Sequence, residues 1–255
     1  MNAPVNKEQS RIQGMFASIA PWYDFLNHLL SLNADQRWRR RMARALLPKT
    51  PGLVLDVCTG TGDLAIAFQK HWANQGRVIG SDFCRPMLER ADAKARKKNI
   101  PLAWINADTL CLPFPDNQFD LVAVAFGLRN VSDTRSGVEE MLRVAKPGGT
   151  VAILEFSRPR NWFLGPIYSF YFRQVMPRLG QFFSKSPDEA YSYLRNSVLN
   201  FPAGPDLVSL LEQWGLQSVR FTPMSFGVVT LYHGTKLSAV DRLPTSPPHP
   251  ALEQK

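Results

Sequence analysis

Between Val54 and Glu155, short apolar runs alternate with segments of helical periodicity, and no other feature of the chain narrows its fold as far. Strands are expected over 54–57, 77–82, 102–107, 119–125 and 150–155, with helices over 64–72, 86–98 and 138–144 between them. The fourth strand, Phe119 to Ala125, is almost continuously apolar, as a parallel strand buried on both faces must be. Strands interleaved with helices in this way form a parallel α/β sheet covered on both sides. The 255 residues suffice for one such domain with a small added lid.

Outside that block the pattern changes. Residues 1–10 are polar and expected to be loose. Ile12, Met15, Phe16, Ile19, Trp22, Tyr23, Leu26, Leu29 and Leu30 recur at roughly helical spacing, which predicts two short helices with Pro21 starting the second. A strongly basic helix is expected over 36–47, ending before Pro48, so that 11–47 forms a helical preface to the domain. Trp162, Phe163, Tyr168, Phe170, Tyr171, Phe172, Phe182 and Phe183 crowd a stretch that does not read as another β-α unit; an inserted helical lid over 158–200 is expected there. A helix over 206–215 and two antiparallel edge strands over 217–222 and 228–232 complete the domain at 237. The tail, 238–255, with Pro244, Pro247, Pro248 and Pro250, is expected to be disordered.

Composition excludes several function classes. Apolar residues make up 45% and charged residues 20%, ordinary values for a globular chain. No run of about eighteen apolar residues exists to span a bilayer, and the first residues lack the apolar stretch of a secretory leader, so a cytoplasmic location is expected. Cys58, Cys84 and Cys111 are isolated and odd in number, which argues against a disulfide framework or a zinc site. His28, His71, His233 and His249 lack ligand spacing, and no metal is expected. The net charge of +9 is dispersed and unaccompanied by a nucleic-acid-binding motif, so no nucleic-acid partner is expected. Attraction to an anionic membrane surface and a simply solvated basic surface both fit that charge. Oligomeric state is not readable, and a homo-oligomer stays open.

The sharpest local signal is Asp56-Val57-Cys58-Thr59-Gly60-Thr61-Gly62-Asp63-Leu64, between a strand and a helix. Glycines there let the backbone turn tightly and approach a ligand, and the turn presents amide donors at a helix N-terminus. A second acid, Asp82, ends the next strand with Phe83 beside it, where a carboxylate can accept both ribose hydroxyls of an adenosine. Cys58 stands where a dinucleotide-binding turn would have its first glycine, and Asp56 would repel a pyrophosphate but suits the cationic end of S-adenosylmethionine. The pattern is similar to the acid-x-G-x-G-x-G motif of class I methyltransferases with its first glycine changed. That likeness implies a Rossmann-like sheet, with Gly60, Thr61 and Gly62 at the cofactor. It also implies that a polar residue after the third strand binds the adenine amine: Asp108, helped by the Thr109 amide. A plain N-cap role for Asp108 is the alternative.

Longer stretches carry a narrower resemblance. Tyr23-Asp24-Phe25-Leu26-Asn27-His28-Leu29-Leu30-Ser31 with Trp38-Arg39-Arg40, and Arg143-Val144-Ala145-Lys146-Pro147-Gly148-Gly149 running into Leu154-Glu155-Phe156-Ser157, resemble the two signatures of the ubiquinone/menaquinone-biosynthesis C-methyltransferase family. Leu112 to Asp120 and Phe126-Gly127-Leu128-Arg129-Asn130-Val131 are similar to the blocks between them, and the likeness extends from about Met15 to Lys236. It departs at Asp35, where the first signature has histidine, at Leu26 for methionine and at Ala145 for a bulkier aliphatic residue. Asp35 is expected to be structural.

The resemblance implies methyl transfer from S-adenosylmethionine to a ring carbon of a prenylated quinol, first of all demethylmenaquinol. The ubiquinone-pathway methoxybenzoquinol and demethylphylloquinol are alternatives, and a soluble small molecule or RNA is a more distant one. Arg129 and Asn130, in the loop after the fourth strand, are expected to bind the ring oxygens, with Arg129 lowering the phenol pKa, unless Arg129 is a structural ion-pair partner. Tyr23 and Asn27 are expected either to close over the site or to pack their helix. The aromatic lid, beside Arg158, Arg160, Arg173 and Arg178, suits a prenyl tail and peripheral contact with membrane lipid at the inner face of the membrane.

Overall fold

The computed structural model describes residues 7–21, 23–72, 75–157 and 197–238. Three helices come first: α1 (Lys7–Ile19), α2 (Tyr23–Leu30) and α3 (Ala34–Leu46). The alternating block follows as β1 (Leu53–Val57), α4 (Asp63–Trp72), β2 (Arg77–Asp82), α5 (Arg85–Lys97), β3 (Ala103–Asn106), β4 (Phe119–Ala125), α6 (Thr134–Val144) and β5 (Ala145–Phe156). Then come α7 (Pro205–Gln213), β6 (Leu216–Met224) and β7 (Val229–Lys236).

The seven strands lie in the order β3-β2-β1-β4-β5-β7-β6. The first five are parallel; β7 runs antiparallel to β5 and β6 antiparallel to β7. The order reverses between β1 and β4, and the crevice above that switch point is where ligands of open α/β sheets bind. Strand alternation sorts the core into two layers. Leu121 and Ala123 of β4 face Trp38, Met42, Leu64, Phe68 and Trp72 of α3 and α4. Val122 and Val124 face Val138, Met141 and Leu142 of α6 and Leu207 and Leu211 of α7. Helices on both faces of a largely parallel sheet are the expected architecture.

The differences from expectation are local. α1 begins at Lys7, inside the stretch expected to be loose. Pro21 lies in the turn before α2, because the Tyr23 amide bonds back to Ala20 O across it. α6 starts at Thr134, four residues early, because Asp133 caps it by accepting from the Ser136 amide at 3.1 Å. Lys146-Pro147-Gly148-Gly149 belongs to β5, entering through a register shift opposite Phe119 and Leu121 with Gly148 at φ +74°. Of the two closing strands only β6 is an edge, since β7 pairs on both sides. The expected lid lies outside the described residues except for 197–200, which are helical, and the proline-rich tail lies outside them except for Ser238. Among the described residues no helix is long and apolar enough to cross a membrane.

Candidate active site

The turn after β1 is built from three left-handed residues, Cys58 (φ +49°), Gly60 (φ +56°) and Gly62 (φ +82°). Gly62 has no room for a side chain: a Cβ would lie 2.6 Å from the Trp104 ring and 3.0 Å from Ala91 of α5. Gly60 has room, and the space above it ends on the Tyr23 ring, 3.9 Å from where a Cβ would stand. Cys58 holds a conformation that costs a side-chain-bearing residue about 1 kcal/mol. Its Cβ fills the place that a side chain at Gly127 would need, 2.4 Å from the Cβ position there. The Cys58 thiol bonds the Thr109 hydroxyl at 3.2 Å, and burial pushes its pKa well up, so it is an inert packing group.

Two carboxylates frame the turn. Asp56 is 1% exposed; its Oδ2 accepts from Thr59 Oγ1 at 2.5 Å and from the Ala65 amide at 3.0 Å, whereas its buried Oδ1 has no partner among the described residues. Burial pushes its pKa to about 7. Asp82 brackets the turn to the start of α5, accepting from the Gly60 amide and the Cys84 amide, each at 2.8 Å. Burial raises its pKa to about 6, and each of its oxygens keeps a lone pair for a ligand. Phe83, Asp108 and Thr109 line the same cavity, with Asp108 Oδ1 accepting from the Leu110 amide at 3.0 Å. The cofactor residues expected from the sequence, Asp56, Gly60, Thr61, Gly62, Asp82, Phe83, Asp108 and Thr109, thus converge on one crevice at the carboxyl ends of β1, β2 and β3; all but Gly62, which packs beneath the turn, line it.

The N-terminal helices roof this crevice. Phe16 and Tyr23 line it and meet edge to face, their ring centroids 6.1 Å apart. Burial raises the Tyr23 pKa, with the Arg39 and Arg129 cations pulling the other way, so the phenol is a proton donor at neutral pH. Arg39 of α3, which also lines the crevice, is 7% exposed, donates to Asp35 at 2.6 Å and lies 5.0 Å over the Phe126 ring. Burial works against its charge, but Asp63, Asp35 and Tyr23 outweigh that and raise its pKa. Asp35 is buried and also bonds Ser31 Oγ at 2.8 Å and His28 Nδ1 at 3.0 Å, a structural role. Asp24 of α2 bonds Thr61 and pairs with Lys94 of α5 at 2.5 Å, and Lys94 reaches Asp63 at 2.8 Å. That strap ties α2 to the glycine turn. Arg39 and Asp63 stand within the sequence motifs without being picked out as site residues, and Lys94 carried no local signal; the docking of α3 brings Arg39 to the crevice, and Lys94 reaches Thr61 and Asp63 from α5.

The loop after β4 divides its two expected residues. Asn130 lines the crevice, and its buried Oδ1 has no partner among the described residues. Arg129 does not line it: Nη1 donates to Glu155 at 2.9 and 3.1 Å and to Phe126 O at 2.6 Å, and the guanidinium lies 5.3 Å over the Phe156 ring. The reason is Glu155, which is 1% exposed and would otherwise be a buried uncompensated charge. Phe126 itself stands at φ +62°, held by its amide on Leu154 O at 2.8 Å and by Arg129 on its carbonyl.

The crevice therefore offers four lining carboxylates, one guanidinium, an aromatic roof and an amide oxygen with no partner among the described residues, with Asp56, Asp82 and Arg39 buried. The chain matches the family model described as the ubiE/COQ5 methyltransferase family over residues 4–236. It is 42% identical to a demethylmenaquinone methyltransferase of Deinococcus radiodurans over 236 residues, covering 91% of this chain and 97% of that protein. It is 41% identical to a ubiquinone/menaquinone biosynthesis C-methyltransferase UbiE of Geobacter sulfurreducens, covering 91% of each. Among solved structures, a SAM-dependent methyltransferase from Aquifex aeolicus superposes with a TM-score of 0.57 at 20% identity, over 78% of this chain and 89% of that one. The [4+2]-cyclase SpnF does so with 0.67 at 16%, over 92% and 98%. At such identities these two speak for the fold alone.

Proposed function

The chain belongs to the ubiE/COQ5 methyltransferase family, and on that premise we propose that it transfers a methyl group from S-adenosylmethionine to a ring carbon of a prenylated quinol, demethylmenaquinol first. The observation that carries this reading is the pair of buried carboxylates at the switch point, Asp56 with a free Oδ1 and Asp82 with free lone pairs, beside an open Gly60. Those groups fit a cationic adenosyl amino acid: Asp82 would take the ribose hydroxyls, Asp108 and the Thr109 amide the adenine, and Asp56 the cationic end. A bound positive charge would offset the burial that raises both carboxylate pKa values.

When bound, the donor supplies an electrophilic methyl group. The protein has to hold an electron-rich ring carbon about 3–3.5 Å from it and steady the charge on the ring oxygen. Asn130 Oδ1, buried and unpartnered, accepts a ring hydroxyl. The Tyr23 phenol, kept protonated, donates to a ring oxygen. Arg129 acts from behind the wall: it fixes the strained Phe126–Asn130 loop and adds positive potential, so it is a positioning residue. The aromatic stretch 162–183 is our candidate for the prenyl tail and for peripheral membrane contact; it lies outside the described residues. A homo-oligomer is compatible with all of this. The relatives' names favour the naphthoquinol.

Incubation with labelled S-adenosylmethionine and reduced demethylmenaquinone, beside the benzoquinol analogue, with mass spectrometry of the product, tests the reading. Ring-methylated menaquinol is expected; label in neither quinol would sink it.

A further inference from the structure

We propose that Arg39 binds the α-carboxylate of the methyl donor and so completes the amino-acid end of its site. The inference rests on the reading of the crevice as a donor site and adds to it a ligand that the glycine turn does not contain. The nucleoside end is set by Asp82 and Asp108 after β2 and β3; the other end, over β1 and β4, holds Asp56, Phe126 and Arg39. An amino acid in zwitterionic form needs both an anion and a cation there. Asp56 Oδ1 is the anion without a partner. Arg39 is the one cation among the described residues that line the crevice, against Asp56, Asp63, Asp82 and Asp108, so a ligand carboxylate has a single favourable neighbour.

The geometry of Arg39 suits that role. One nitrogen, Nη1, is held by Asp35 at 2.6 Å, and the guanidinium face is packed on Phe126, which together fix the orientation of the fork. Its other N–H groups make no hydrogen bond to a described residue, although the side chain is more than nine-tenths buried. A planar fork fixed on one side and free on the other is the arrangement that takes a carboxylate.

The test compares two ligands on the full chain by calorimetry. S-adenosylhomocysteine carries the amino acid; 5′-methylthioadenosine lacks it. Arg39→Met is expected to weaken S-adenosylhomocysteine about 10- to 100-fold and methylthioadenosine by less than about twofold, and Arg39→Lys to recover part of the loss. Equal losses for both ligands would overturn the assignment in favour of a purely structural arginine. Unchanged S-adenosylhomocysteine affinity with reduced kcat would overturn it in favour of a role at the methyl acceptor. Should Arg39→Met not fold, Arg39→Lys is compared with wild type on S-adenosylhomocysteine and its decarboxylated analogue. The wild-type preference for the carboxylate must then shrink at least severalfold, and an unchanged preference overturns the proposal. A wild-type chain that binds neither adenosyl ligand refutes the donor site itself, which is a different failure.

Discussion

The two ends of the sheet are built on opposite rules. At the amino ends of the strands the charges are paired and wet. Asp120 accepts from the Leu53 amide and from Lys146, each at 2.8 Å, and Arg143 joins Glu140, Asp116 and the carbonyls of Leu112 and Phe114. Those pairings hold the Asp120 and Glu140 carboxyls below the usual carboxylate range, against what burial does to them. At the carboxyl ends, Asp56 and Asp82 are pushed up by burial, Asp56 Oδ1 and Asn130 Oδ1 lack partners, and Cys58 and Phe126 sit in left-handed conformations. One end stabilises the fold; the other holds unsatisfied groups and strain in place for a ligand.

Substitutions can break that contrast or sharpen it. The largest effect is expected from Arg129→Ala, which leaves Glu155 buried and uncompensated: a loss of about 3–5 kcal/mol in denaturant unfolding, with most turnover gone and S-adenosylhomocysteine affinity within a few-fold of wild type. Unchanged turnover in a folded variant would remove Arg129 from the mechanism. If Asp82 takes the ribose hydroxyls as proposed, Asp82→Ala removes their acceptor, and calorimetry should show affinity falling roughly 100-fold, on the order of 3 kcal/mol.

Asp56→Asn should weaken the same ligand yet stabilise the ligand-free protein. The folded carboxyl has its pKa raised to about 7, so its cost is absent below about 4, grows as pH rises through the window between them and is complete above it. Melting curves should therefore show a gain on the order of 2 kcal/mol at pH 8 that fades as pH approaches 4. The opposite end has the opposite sign: the Asp120 and Glu140 pairs contribute above about pH 4 and are lost as pH falls below it. Least of all, Lys146→Met at that exposed end should cost under about 1 kcal/mol and leave ligand affinity alone; a large change in affinity would erase the distinction between the two ends.

Much of this was legible in the sequence because the signals are local. The β1 turn, Asp82 and Asp108 are each read within a few residues of a strand end, and the apolar run of β4 declares its place in the middle of the sheet. What escaped depends on tertiary docking. Arg39 is one arginine in a very basic helix; the signature holds both Arg39 and Arg40, and nothing in it says which of the two enters the site until α3 lies against α4 and Phe126. Arg129 was legible as a neighbour of the site, but its turn away from the crevice was not, since the partner that holds it, Glu155, is twenty-six residues distant on another strand. The strand expected over 150–155 begins at Ala145 instead: Pro147, Gly148 and Gly149 are poor strand formers, and a register shift at the strand's first pairs admits them.

The room between the tips of β1 and β4 accommodates one Cβ. Cys58 uses it, and Gly127 goes without because its own would stand 2.4 Å away. The two positions are therefore linked by sterics across sixty-nine residues of chain. Alanine at 127 loses its severest clash when 58 becomes the glycine that its left-handed backbone would favour anyway, and then needs only a small shift of Val124 Cγ2, 3.2 Å from the added Cβ. Two changes, each unfavourable or neutral alone, would together hand the spare volume from one wall of the crevice to the other.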